Sequence, residues 1–148
     1  MKGLKSEGAI AELVARARRV GPDVRPRWGS LDAPRMMCHV ADAVRLSLGD
    51  IPTHPRPRTL MQTFPLRDLV LYWLPWPHGV RGPREAFTTP PCALDMDVQA
   101  LEAVLVRFLD HRPTAEWPPH PLFGPMTAGD WNRLLYRHTD HHLRQFGV

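Results

Sequence analysis

The segment Arg137-His138-Thr139-Asp140-His141-His142 is the densest concentration of metal-binding and acid–base side chains in the sequence. On a helix, residues four apart lie about 40° apart in projection. His138 and His142 therefore present their imidazoles one turn apart on one face, a spacing at which two rings can grip one divalent ion. They continue a stripe formed by Trp131, Leu134 and Leu135, so they point inward, where an imidazole without a partner is costly. Two readings stay open for the pair. It is either two core histidines bonded to backbone carbonyls or water, or two ligands of one metal ion. His39 is the best candidate for a third ligand, because it lies on the apolar stripe of Met36, Ala43 and Leu46. Alone it reads as a satisfied core residue, and only the distant pair changes that weighting. His141 flanks the same face as His138. With an ordinary pKa of about 6.5 it suits a fourth ligand, a proton donor or acceptor, or a partly exposed bystander.

The neighbouring groups are sorted by direction. Asp42 lies one turn beyond His39 and is expected to face solvent rather than to orient a histidine. Asp140 is about 200° from His138, which excludes it as a ligand and pairs it with Arg144 at i,i+4. Cys38 is about 100° round the helix from His39 and is read as core. Cys92 has no assigned role. His54, His78, His111 and His120 fall in loops or at helix ends, where exposure is expected. No H-E-x-x-H, G-x-S-x-G, P-loop or G-x-G-x-x-G string occurs, and two cysteines this far apart make no zinc finger.

Four periodic segments must position these residues. The first runs from about Lys5 to Val20, with Ile10, Leu13, Val14 and Ala17 on one face and Gly21-Pro22 as a stop. The second runs from about Asp32 to Leu48. Ser30 or Asp32 can cap it, Pro34 suits its first turn, and Gly49 follows its end. The third is expected from about Asp97 to Arg112, ended by Pro113. The fourth runs from Thr127 to Phe146, opened by a capping-box pair, Thr127 and Asp130, and stopped by Gly147. Between the second and third lies a crossover from Asp50 to Pro91 that holds nine prolines. Proline removes donors and clashes with helix, so only Leu66 to Leu74 is expected to be helical there. A second proline-rich connection spans Pro113 to Pro125. The layout predicts an all-α fold, a single four-helix bundle domain with one long crossover. The crossover reads either as packed irregular cover or as a lid over one end of the bundle.

Composition narrows the class of protein. With 148 residues, 43% hydrophobic and 23% charged, the chain can bury a core without staples. Two cysteines make no disulfide scaffold, and the first residues show neither an apolar signal core nor a cleavage site, so a cytoplasmic location is expected. The longest apolar run, Leu69 to Leu74, is far below the ~20 residues a membrane span needs. The net charge of +4 and pI near 9.7 come from scattered arginines without a basic run or a nucleic-acid motif. Neither a membrane nor nucleic acid is expected as a partner.

Two stretches carry a likeness to a known group. The entry to the second helix reads Trp28-Gly-Ser-Leu-Asp-Ala-Pro-Arg-Met-Met-Cys-His39. The C-terminus runs from His120-Pro-Leu-Phe-Gly-Pro-Met-Thr through Trp131 to His138-Thr-Asp-His-His142-Leu-Arg-Gln-Phe-Gly147. Together with Leu74-Pro-Trp-Pro-His-Gly in the crossover, these resemble the DinB/YfiT-like superfamily of metalloenzymes, and in particular a branch of unknown function ending in H-x-x-H-H-L-x-Q-F-G. The resemblance implies a four-helix bundle in which His39, His138 and His142 match the three ligand positions. It implies a divalent ion, zinc or nickel, and a low-molecular-weight thiol transferred to a small electrophile. Metal-dependent hydrolysis and non-catalytic metal or ligand binding are the alternatives. His141 would then be the local proton shuttle, a small molecule the substrate, and a homodimer the expected assembly.

Overall fold

A computed structural model describes residues 2–54, 57, 59–79, 82–112 and 116–148. Among these the chain is all-helical, with no strand beyond one isolated bridge between His120 and Gly124. Four long helices carry the structure: α1 (Ala9–Ala17), α2 (Ala33–Leu48), α4 (Leu94–Asp110) and α5 (Ala128–Gln145). Helices α1 and α2 each pack against both α4 and α5, which closes the four into an α-helical bundle. The buried side chains Leu13, Met36, Met37, Leu101, Leu105, Phe108, Trp131, Leu135 and Leu143 fill its centre. No helix among the described residues is long and apolar enough to cross a membrane.

The helix ends follow from capping chemistry. The Asp32 side chain accepts from the Arg35 N–H at 2.8 Å, Pro34 sits in the first turn, and Gly49 ends α2 at φ +79. Thr127 and Asp130 form a reciprocal capping box at the start of α5. Three boundaries differ from the sequence expectation, the first being the end of α1, which stops at Ala17 rather than Val20, with Arg18 and Arg19 in a turn. Helix α1 begins only at Ala9, because Gly8 turns the chain at φ +67 and residues before it form turns. Helix α4 begins three residues before Asp97, at Leu94. Asp97 does serve the helix start, but from inside the first turn, where its carboxylate accepts from the Cys92 N–H at 3.2 and 3.3 Å. Pro113, the expected stop of α4, lies outside the described residues.

Inside the crossover, one α turn, α3 (Leu66–Asp68), runs into a π turn over Leu69–Trp73. The widening has a local cause. The Val70 carbonyl accepts from Trp76 Nε1 at 3.0 Å and from Arg137 at 2.7 Å, and the Leu71 carbonyl from Arg137 at 2.7 Å. Arg133 donates to the Tyr72 carbonyl at 3.1 Å, and Arg137 also to that of Leu74. Two arginines of α5 thus serve the carbonyls that a helix C-terminus leaves without partners, and the Leu74 N–H bonds back to Leu69, five residues away. Arg67 ties the other end down through Asp130 at 2.8 Å and the Pro125 carbonyl at 2.9 Å. Leu71 is fully buried. This part of the crossover is packed onto α5.

Candidate metal centre

Three helical turns bring His39, His138 and His142 to one point. His39 comes from the middle of α2, and the other two from the last turns of α5. One ring nitrogen of each lies within 4.8 Å of one ring nitrogen of both others, and no second such group of His, Cys, Asp or Glu occurs among the described residues. His138 Nε2 and His39 Nε2 are 3.0 Å apart, close to the ~3.0–3.4 Å between two ligands on one ion at bond lengths near 2.1 Å. His39 is buried, and His138 and His142 are part-buried.

The protons on two of these rings are fixed by their neighbours. His39 Nδ1 lies 2.8 Å from the Ala86 carbonyl. A carbonyl only accepts, so Nδ1 carries the hydrogen and Nε2 keeps a bare lone pair. His142 Nδ1 lies 2.8 Å from Gln145 Oε1, with the same consequence. This is how metal-ligating histidines are held: one nitrogen donates to a fixed acceptor and the other faces the ion. His138 Nδ1 is buried and has no hydrogen-bond partner among the described residues.

Electrostatics keeps all three rings neutral. Burial, opposed by the Ala86 carbonyl and Asp42, lowers the pKa of His39. Burial, then His142 and His39, pushes His138 well below its ordinary range. Burial and His39 push His142 down to about 3 against the opposing bond to Gln145. A neutral imidazole is the form that binds metal, so the donor set fits a divalent cation.

Aromatic rings surround the histidines. Phe87 stacks on His39 with centroids 4.2 Å apart, and Trp76 leans on His138 at 6.1 Å. His141 packs edge-on against His142 at 5.3 Å and stands 6.0 Å from Trp76, 5.6 Å from Trp28 and 6.1 Å from His78. Burial and His78, partly offset by Asp140, lower its pKa. It stands beside the cluster but outside the group of three. Asp140 pairs with Arg144 at 3.0 Å and with Arg16 at 2.8 Å, turned away from the histidines.

Two expectations are corrected. Asp42 does not face solvent; it is fully buried. One oxygen accepts from the Thr88 N–H and hydroxyl and the Thr89 N–H, at 2.8–3.0 Å, and the other from the Thr89 hydroxyl and Arg45. It fastens the segment after Arg84–Phe87, whose Ala86 carbonyl holds His39. His120 is buried, not exposed, and its Nδ1 accepts from the Leu122 and Phe123 N–H groups. Cys38 is core, its thiol pushed up to about 11 by burial and by Asp97. Sequence reasoning missed Ala86, Phe87, Gln145, Trp28, Trp76 and His78. The last two lie in the string Leu74-Pro-Trp-Pro-His-Gly, and Trp28 and Gln145 in the other two strings that carry the resemblance.

A helical bundle with three converging neutral imidazoles defines a class, all-α proteins able to hold a metal ion between their helices. The chain belongs to the family described as "Protein of unknown function (DUF1569)", whose profile matches residues 28–147. No curated protein matches the chain. No solved structure matches it either.

Proposed function

We propose that the chain is a metal-dependent enzyme of the DinB/YfiT-like kind that transfers a low-molecular-weight thiol to a small electrophile. The observation that carries this reading is the convergence of three neutral histidines, two of which have Nδ1 already engaged and Nε2 bare. His39, His138 and His142 would hold a divalent ion, zinc or nickel. When bound, an ion with three protein ligands supplies Lewis acidity and an open position, which keep a thiol or a water in its nucleophilic, deprotonated form.

The chain's own residues supply the rest. The Ala86 carbonyl and Gln145 orient two of the rings. Phe87 and Trp76 pack against His39 and His138. His141 sits next to His142 with a lowered pKa, so it is neutral near pH 7 and suited to accept a proton from an arriving thiol.

The test is metal content in untagged protein, wild type against His138→Ala, followed by conjugation of an electrophilic probe with low-molecular-weight thiols. About one ion per chain, lost in the variant, with thiol-dependent turnover, is the expected result. Turnover of an ester or amide without thiol would favour a hydrolase at the same site. Bound metal without turnover would favour a binding protein. No zinc or nickel uptake by wild type would remove the reading.

A further inference from the structure

Gln145 is the last residue of α5 and is 4% exposed. Its Nε2 lies 2.6 Å from the Trp28 carbonyl. That carbonyl can only accept, so the amide nitrogen must face it. Oε1 then necessarily faces His142 Nδ1, at 2.8 Å, and can only accept in turn. The orientation of one amide therefore decides which nitrogen of His142 carries hydrogen. Space for the amide comes from Gly29, at φ +76, where an added Cβ would stand 2.7 Å from Gln145 Nε2. Trp28 also stacks on His78 with centroids 3.9 Å apart and meets His141 edge-on. The backbone that holds the amide thus belongs to the residue that carries the rim of the centre.

We propose that Gln145 is a positioning residue for the metal centre. It locks His142 in the Nδ1–H form, aims its Nε2 at the ion, and ties that ligand to the Trp28 rim. This rests on the three-histidine reading for its effect on metal, but not for its effect on the ring. A residue that merely pins the N-terminal segment to α5 would act through the Trp28 bond alone.

Two measurements separate these roles. In metal-free wild type, imidazole 15N NMR should show His142 protonated at Nδ1; protonation at Nε2 overturns the proposal, whatever any variant does. For metal, nickel affinity is read by competition with a chelator in Gln145→Met and Gln145→Glu, with circular dichroism to check folding. The glutamate keeps an acceptor for His142 Nδ1 but cannot donate to the Trp28 carbonyl as a carboxylate. Gln145→Met should bind nickel about 10–100-fold more weakly, the usual effect of losing an outer partner of a ligand, and Gln145→Glu should return most of that loss. Equal weakening in both variants, or none in either, overturns the positioning role. If wild type takes up no nickel, the three-histidine reading fails, and the NMR result alone decides whether Gln145 sets the tautomer.

Discussion

Replacing Asp42 by alanine should cost the protein about 3–5 kcal/mol, although Asp42 touches none of the three histidines. Its carboxylate is fully buried and has five donors around it. The two threonine hydroxyls can turn elsewhere, and Arg45 is partly exposed and can reach water. The N–H groups of Thr88 and Thr89 cannot turn. Each backbone donor left without a partner costs about 1–3 kcal/mol, and breaking a buried ion pair from one side costs about 3–5 kcal/mol in comparable cases. For a domain near this length each kcal/mol lowers Tm by about 2–4 °C, so a fall of about 6–20 °C is expected in thermal unfolding. Asp42→Asn keeps the shape but turns one acceptor into a donor facing donors, and about 2–3 kcal/mol is expected by the same arithmetic.

The acid side of the curve gives a second check on the same residue. Burial raises the Asp42 pKa, but the bonds from Thr89, Arg45 and Thr88 outweigh it and hold it below its ordinary 3.8. A depressed folded pKa gives stability that is present above the unfolded value and is lost as pH falls through the folded one. The gap between wild type and Asp42→Asn should therefore be full above about pH 4 and shrink below it. A Tm change in Asp42→Ala of less than about 3 °C, or a gap that does not narrow in acid, would refute the reasoning.

The histidines give the metal-free protein a separate acid sensitivity. His39, His138 and His142 all have folded pKa values below 6.5, so the unfolded chain takes up protons first, and stability should fall as pH drops below about 6.5. Metal-free denaturation midpoints that stay flat from pH 7 to 5 would sink this. Arg137→Met removes the donors on the Val70, Leu71 and Leu74 carbonyls and should cost about 1–2 kcal/mol. Hydrogen exchange should then quicken over residues 69–78 while α2 and α4 keep their protection; unchanged exchange there would show that the π turn holds without its arginine.

The long helices were legible because their signals are local and periodic. Met36, His39 and Val40 on α2, and Trp131, Leu134, Leu135, His138 and His142 on α5, repeat at three and four residues, and each stripe has one face to bury. The capping box at Thr127 and Asp130 and the cap at Asp32 were equally local. The start of α1 was less legible. Residues 5 to 7 carry ordinary helix formers, and only Gly8 at positive φ, which sequence leaves optional, ends the run early. The start of α4 was misplaced by a different route: the helix begins at Leu94, three residues before Asp97, and nothing in the spacing of Asp97 says that its carboxylate works from inside the first turn.

The surroundings of the histidines were harder to read because much of what orients them is backbone. The acceptor on His39 is the carbonyl of an alanine, and the anchor of Gln145 is the carbonyl of Trp28. Every residue has a carbonyl, so neither choice leaves a trace in side-chain type. What does leave a trace is the machinery that brings those carbonyls into place, and it is spread far from the ligands. Asp42 recruits Thr88 and Thr89 across the whole crossover, and Gly29 makes room for an amide 116 positions away. A buried carboxylate on the helix that carries His39 was therefore misjudged as solvent-facing, because its partners sit in a segment with no period to predict. Two described parts of the proline-rich crossover have the same explanation: Arg133 and Arg137 of α5 bind the main chain of Val70, Leu71, Tyr72 and Leu74, and Asp42 of α2 binds that of Thr88 and Thr89. Substitutions at Asp42 and Arg137 are thus expected to disturb the centre through the backbone they hold, without touching one of its three histidines.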